Sequence, residues 1–518
     1  MKNKINSGFF KINFNFSSIK FVISSIAIVV AILLFSCNKS PDIPPDMEGT
    51  EITDFYFLKG NNPSISNDIQ LTKEGASFVG RVPYGTDITN LIATYRHDGY
   101  KVYVNNIEQI NGVTSNNFTN VVTFVVKTSD AREKNFSVDV TYFTGLPIVD
   151  INTNGVPIIS KDYEIPGFIK TVGGRNYTSL NTTQMAIRGR GNSTWWIHPK
   201  KPYQIKFSSK TKLLDMPEDK KWVLLAEYSD KTLLRNKIAF EMGYISKLNW
   251  TPKCEFAEVF INNSYNGTYN VTQKVEESSN RVAIGSNGFL LEIDQLDRLD
   301  PGDVYFYSSD FLVNIKAPTV VNNDTQFNYI KNLVIEFENT LHGNQFTDPI
   351  NGYAKYIDVD SFIDWYLISE ITKNQDSQFF SSIFFNVIPG EKIKMGPLWD
   401  FDLAFGNVNY SQATYPTGFW VKDHKWFTRL FQDPQFVAKV KLRFTYFRNN
   451  QSFILDKIDS YANYLKWAQN ENDMKWDIIG NYVWPNPVVY NTYDEEVQHL
   501  KNWYIERMNW LANAYNGL

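Results

Sequence analysis

Two hydrophobic rhythms run along the chain. Between residue 51 and about 145, apolar positions alternate with polar ones in short runs, as in Glu51 to Leu58 (EITDFYFL), Leu91 to Tyr95, Val102 to Val104, Val121 to Lys127 and Phe136 to Tyr142. Turn signals separate them at Gly60-Asn61-Asn62-Pro63, Tyr84-Gly85-Thr86-Asp87 and Asn111-Gly112. Period-two runs punctuated this way predict a small all-β sandwich over 51–145. It contains no cluster of titratable groups, so a spacer or docking role is expected of it, with glycan binding as the sharper alternative.

From about Leu146 the rhythm mixes strands with helical spacing. Trp222 to Ala226 predicts a strand. Asp230 is then expected to cap a helix carrying Leu234, Ile238 and Met242 at every fourth position. Residues 256–275 predict a hairpin with its turn at Ser264 to Gly267, and 288–294 another strand. Asn328 to Leu341 has helical spacing. Asp358 is placed to cap a helix bearing Phe362, Trp365, Tyr366 and Ile368. The tail from Trp426 to Leu518 reads as helical, its many Trp and Tyr residues serving the core.

That region is organised around Asn374 to Gly406 (NQDSQFFSSIFFNVIPGEKIKMGPLWDFDLAFG). Ser382 to Val387 and Lys392 to Met395 flank the turn signal Pro389-Gly390, a second hairpin. Its closure brings Asp376 near Asp400 and Asp402, beside Trp399 and Phe401. Three converging carboxylates repel one another unless a cation lies among them, and a hard divalent ion with a phosphate ligand answers that need. The other reading of WDFD, aspartates capping a turn, weighs about the same on these residues alone.

Residues 185–207 (MAIRGRGNSTWWIHPKKPYQIKF) gather Arg188, Arg190, Lys200, Lys201 and Lys206 around Gly189 and Gly191. Glycines allow close backbone approach, which phosphate sites exploit, although such a loop is more often a turn. The pattern is not a Walker A loop. Lys206, between Ile205 and Phe207, points to the face opposite both. Arg235-Asn236, early on its helix, could face an active-site acid.

Composition narrows the class. The 518 residues are 43% hydrophobic, 15% aromatic and 20% charged, with net charge −4, so the chain is globular and long enough for two or three cores. Charges of both signs are interspersed, without the clustered basic face a nucleic-acid binder needs. Lysines at 2, 4, 11 and 20 precede an apolar run, Phe21 to Phe35, that suits a signal peptide better than a membrane span. The run ends in Leu34-Phe35-Ser36-Cys37, which resembles a bacterial lipobox. That resemblance implies a lipid anchor on Cys37 and residues 1–37 as a lipoprotein signal peptide. Residues 38–50, rich in Pro, would be a tether. Asn38 leans the location towards the outer membrane, with the facing side open. Of the two cysteines, Cys254 is then expected to be unpaired and buried.

Four stretches together resemble one family: IRGRGNSTWWIHPKKPYQIKF, SDKTLLRNKIAFEM, NGTYNVTQKVE and KNQDSQFF…MGPLWDFDLAFG. The chain is identified as similar to the spore-coat protein H (CotH) family of atypical secreted protein kinases over roughly 147–515. The resemblance implies an α+β fold, a diverged protein-kinase-like domain over 146–518 with a helical C-terminal part; the sandwich before it separately resembles the Ig-like modules of surface lipoproteins. It implies ATP and Mg²⁺ or Mn²⁺ as cofactors and Ser or Thr of an envelope protein as acceptor. By position, Asp376 matches the catalytic Asp, Asp400 the metal ligand and Trp399 the adenine-stacking aromatic. Asp402 is a further metal or supporting carboxylate, and Arg188, Lys201 and Lys206 match the phosphate-facing basic segment. HRD and VAIK motifs are absent. Gln273 stands where the family often has Glu, removing a charge partner for a lysine, and Asn386 is a weak candidate for a second metal ligand. A non-enzymatic surface lipoprotein that binds a protein or glycan is the alternative, and a metal-dependent hydrolase a third reading.

Overall fold

The computed structural model describes residues 48–518; the predicted signal peptide, Cys37 and most of the tether lie outside the described residues. The chain divides into two compact units. Residues 48–80 and 87–139 form one, and 81–86 with 140–518 the other.

The first unit is all β. Glu48–Phe57 lies between Ile69–Gln70 and Thr94–Gly99 in a three-stranded sheet. A six-stranded sheet contains Ser77–Val82, Glu133–Tyr142, Val122–Lys127 and Lys101–Val104 as its central strands. Inward residues at every second position join the sheets: Phe55 of the first meets Phe124 and Phe78 of the second at 5.1 and 5.5 Å between ring centres. Edge-to-face and tilted rings at these distances contribute beyond the area they bury.

The second unit begins with a closed seven-stranded barrel. Six of its pairings are antiparallel neighbours, and the parallel pairing of Ile148–Asn152 with Cys254–Ile261 completes the ring. Strict alternation builds it. In Ile165–Val172 every second residue is buried and the others exposed. Ile151, Ile169, Ile187, Ile205, Trp222 and Val259 fill the interior. Closure removes sheet edges, which explains how strands this regular avoid pairing outward.

A five-stranded antiparallel sheet follows, in the order Tyr305–Tyr307, Leu312–Ala317, Phe289–Ile293, Ile383–Val387, Lys394–Met395. Phe289–Ile293 and Ile383–Val387 are buried at every position, the polar Glu292 and Asn386 included. The last two strands are the predicted hairpin, with Phe385 opposite Met395. Helices cover the sheet. Trp426 of Lys425–Leu430 touches Phe385, Phe337 and Phe311. Val359–Thr372 is capped by Asp358, whose carboxylate accepts from the Ser361 amide. It is almost wholly buried, so its two buried acids need partners, and Asp364 pairs with Arg443. Glu370 accepts from the amides of Trp420, Val421 and Lys422 and pairs with fully buried Arg507.

Two local expectations shift. The helix after Trp222 starts at Arg235, not at Asp230. The Asp230 carboxylate accepts from the amides of Thr232 and Arg235, bridging the intervening turn to the first helical residue. The first hairpin turns at Asn262-Asn263, both left-handed, and its second strand already starts at Ser264. Asn tolerates that conformation, so the turn sits two residues earlier than the glycine suggested. Cys254 is a buried free thiol whose pKa burial pushes up to about 12.

Candidate active site

A cavity of about 500 Å³ opens where the barrel strands end and the hairpin of the second sheet begins. Arg188, Arg190, Gly191, Gln204, Glu227 and Lys274 come from the barrel and the loops that leave it. Glu292 and Lys316 come from neighbouring strands of the sheet, and Asp376, Trp399, Asp400 and Asp402 from the hairpin segment.

The acids are placed by two different devices. Asp376 sits in the short turn Gln375–Ser377 after the buried helix. Its carboxylate accepts from the Ser381 hydroxyl at 3.0 Å, and the Arg298 guanidinium lies 4.0 Å away. Burial and the nearby Asp400 charge raise its pKa to about 6. Asp400 has left-handed backbone, φ 65°, which Asp enters more readily than most residues. Burial raises its pKa against the pull of the Arg190 and Arg298 cations. Asp402 stands well above the usual carboxylate range, through burial first and then the charges of Asp400 and Glu227. The three acids therefore share one recessed region.

The WDFD segment is held from behind. The Phe401 amide donates to Asn236 Oδ1 at 2.7 Å, and Asn236 Nδ2 donates to Glu227. Arg235 Nε donates to the Ala404 carbonyl, and the same guanidinium pairs with fully buried Asp230. Phe401 packs edge-on to Phe240 of that helix. Arg235 and Asn236 thus position the segment; neither pairs with Asp376, Asp400 or Asp402. Glu227, with its carboxyl accepting from Asn236 and Asn270, has its pKa raised to about 8 by burial and by Asp230.

The predicted basic residues divide. Arg188 lines the cavity, its guanidinium donating to the Lys161 carbonyl. Lys206 does not reach it. Ile205 and Phe207 fill the barrel, so Lys206 faces outward, 3.1 Å from Glu164, beside a separate shallow groove. Lys201 is not brought there either: its ammonium donates to the carbonyls of Trp195 and His198 and ties down the short helix Ser193–Ile197. Lys200 is fully buried against the Thr268 carbonyl and Asn472. The space left by Gly189 is filled by the Trp195 ring, with no room for a phosphate. Gly191, φ 83°, does line the cavity.

Other cations line the cavity. Arg190 lies over the Trp399 ring, 5.4 Å from its centre, and Trp399 is only 7% exposed. Lys274, whose pKa burial and the Lys221 charge lower to about 8, lines the same wall. Lys316 lies 3.4 Å from Glu292 and 3.5 Å from Asp303. This Lys–Glu pair bears on the Gln273 departure. Gln273 is turned away, accepting from the Lys253 amide, and the cavity lysine has its acid from Glu292. The two meet only through sheet register, where Glu292 pairs with Asn314 two residues before Lys316. Lys274 lies near the end of the predicted hairpin 256–275, within reach of an alternation argument, and follows directly on the strand Ser264–Gln273. Asn386 donates to the Gly396 carbonyl and lines a different cavity, so it is no ligand here. Among the described residues no group of three or more His, Cys, Asp or Glu side chains forms a ready-made metal site.

Comparison with known proteins adds one family and one remote likeness. No curated protein matches the chain. Among solved structures, a candidate glycoside hydrolase from Bacteroides thetaiotaomicron is similar at 10% identity, covering 57% of this chain and 89% of its own, with a TM-score of 0.15. The model of the family described as CotH kinase protein matches residues 187–511. That span starts at Ile187, runs through the cavity-lining barrel strands and takes in Asp376, Asp400 and Asp402. It is more than half of the sequence, and the chain belongs to the CotH kinase protein family.

Proposed function

We propose that this chain transfers the terminal phosphoryl group of ATP to Ser or Thr hydroxyls of proteins at the cell envelope, on a diverged protein-kinase fold. The observation that carries the reading is the division of charge across one cavity. Arg190, Lys274 and Lys316 line it together with the recessed carboxylates of Asp376, Asp400 and Asp402. Phosphoryl transfer asks the protein mainly for positioning and charge neutralisation, which this arrangement supplies.

A divalent ion fits these residues. Asp400 and Asp402 are recessed in one cavity, and burial with the Asp400 charge holds Asp402 above the usual carboxylate range. Mg²⁺ is held through one or two carboxylates with substrate phosphates completing its shell, so a third protein ligand is not required. Asp400 and Asp402 would hold the ion, which neutralises phosphate charge when bound. Arg190, Lys274 and Lys316 bind the phosphate oxygens. Asp376, in its turn beside Ser381, accepts the proton of the incoming hydroxyl and orients it. Trp399 offers the aromatic face for the adenine once Arg190 moves from it.

The lipobox-like Cys37 supports a lipid anchor at the envelope, outer membrane favoured, with the β-sandwich as spacer. A second reading, a non-enzymatic lipoprotein binding a protein or glycan on the same scaffold, is favoured by one observation: the Trp399 face is covered by Arg190.

Thermal midpoints of the purified full-length chain with ATP, with and without Mg²⁺ or Mn²⁺, test the choice. A ligand that binds only the folded state stabilises it by about 2.7 kcal/mol at a hundredfold excess over its Kd. A metal-dependent rise is expected, lost in Asp400→Ala and kept in Asp376→Ala. No rise at millimolar ATP leaves the binding reading.

A further inference from the structure

Three aromatic side chains at the cavity do no structural work that requires their exposure. Phe380, Tyr410 and Trp484 are 45%, 51% and 37% exposed, yet all three line the cavity that holds Asp376. They come from three separate segments. Phe380 stands four residues after Asp376, and its amide donates to the Asp376 carbonyl. Tyr410 follows the WDFD segment. Trp484 belongs to the loop between the last two helices, and its ring stacks on Tyr410 at 5.7 Å and 11°.

This stack is braced. Asn409 donates to the Tyr482 hydroxyl at 2.9 Å, and Asn486 donates to the Ser229 carbonyl and to Asn407. The two loops are thereby tied together on either side of the rings. On Phe380, the Arg298 guanidinium lies 4.6 Å from the ring centre. Burial, and then the charges of Asp376 and Asp402, raise the Tyr410 pKa to about 12. The shared cavity and the Phe380 amide on the Asp376 carbonyl place the rings beside the proposed proton acceptor.

Exposed rings held rigidly beside an active carboxylate waste apolar surface unless a ligand covers them. The phosphate-binding cations lie with Arg190, Lys274 and Lys316, and Trp399 serves the base. The remaining group that must approach Asp376 is the acceptor. We infer that Phe380, Tyr410 and Trp484 form its binding subsite and select a polypeptide segment whose Ser or Thr is flanked by aromatic side chains. The inference rests on the proposed transfer reaction and names the residues that choose its substrate. A polypeptide suits the arrangement because rings from different segments border one carboxylate. A chain passing over Asp376 carries neighbours on both sides of the hydroxyl, each able to pack on a ring.

The test measures binding of two fluorescein-labelled seven-residue peptides to the full-length chain by fluorescence anisotropy. One has its central serine flanked on both sides by phenylalanine, the other by alanine. Maltoheptaose and a chitin hexamer serve as competitors. The phenylalanine peptide should bind more tightly. Tyr410→Ala and, separately, Trp484→Ala should each weaken it about three- to tenfold, the size of an aromatic pair contribution. Both variants should keep the metal-dependent ATP shift of the wild type, which also shows that they fold. Equal binding of the two peptides, or a preference untouched by both variants, overturns the inference. So does displacement of the peptide by either oligosaccharide in the wild type but not in the variants, which assigns the rings to a glycan. Absence of the ATP shift in the wild type sinks the kinase reading on its own. Equal binding of the two peptides by a wild type that shows the shift sinks only the acceptor subsite.

Discussion

Segments 185–207 and 374–406 both concentrate charge around glycine and aromatic residues, yet they deliver it differently. All three acids of the second segment reach one cavity. Of five cations in the first, Arg188 and Arg190 reach it, while Lys200, Lys201 and Lys206 are spent elsewhere. The difference lies in the elements that carry them. A hairpin closes on itself, so residues at its two ends meet whatever the rest of the fold does. Barrel strands throw successive side chains to opposite faces, and which outward positions meet a second sheet depends on how far along the strand they lie. Arg188 and Lys206 lie on adjacent strands two residues apart in register, Ala186 opposite Lys206 and Arg188 opposite Gln204. That offset separates the cavity from the Glu164 pair.

The hairpin side should break most sharply at Asp376. Asp376→Asn should lower phosphoryl transfer by about 10²–10⁴-fold, the usual contribution of a general base, with ATP-induced stabilisation retained. In wild type, transfer should rise as pH climbs through about 6, because the carboxylate must be ionised to act. The stability consequence has the opposite sign. Its folded-state pKa lies above the ordinary 3.8, so the native state holds the extra proton and stability falls as pH rises across that window. Denaturant midpoints between pH 4 and 7 would read the Asp376→Asn variant as less steep than wild type over the same interval.

Arg235→Ala should cost about 3–5 kcal/mol in denaturant unfolding, since it leaves fully buried Asp230 without its cation and frees the Ala404 carbonyl. If stability barely changed, the helix would not be what fixes the WDFD segment. The barrel side is sharpened by a pair of measurements. Lys274→Ala should weaken ATP binding about tenfold, in line with roughly 1.5 kcal/mol for a hydrogen bond to a charged group. Lys206→Ala should leave the affinity within about twofold, as its partner is half-exposed Glu164. Equal effects would return Lys206 to the phosphates. The smallest effect is expected from Asp402→Asn without ligand. Removing a recessed carboxylate that repels Asp400 should raise the thermal midpoint by roughly 2 °C, while abolishing the metal-dependent rise.

Much of the second unit could be read from local pattern. The Asp358 cap, the helix that follows it, the hairpin at Pro389-Gly390 and the buried Trp426 all follow from short-range signals, and the structure has each of them. Trp484 shows where pattern stops. A Trp in an aromatic-rich helical tail reads as core, but it lies in a loop, is exposed, and faces the cavity. Loops carry no periodicity from which a facing direction could be read.

By itself the sequence determined several strands and helices of each unit, the meeting of Asp376 with Asp400 and Asp402, and the family. Each depends on residues near one another in the chain or on motif order. Barrel closure, the presence of Lys274 and Lys316 rather than Lys201 and Lys206 in the cavity, the Arg190–Trp399 contact and the exposed rings beside Asp376 were decided by tertiary structure alone. These depend on which strands become neighbours and in what register, and pairing across a hundred residues leaves no local trace in the order of amino acids.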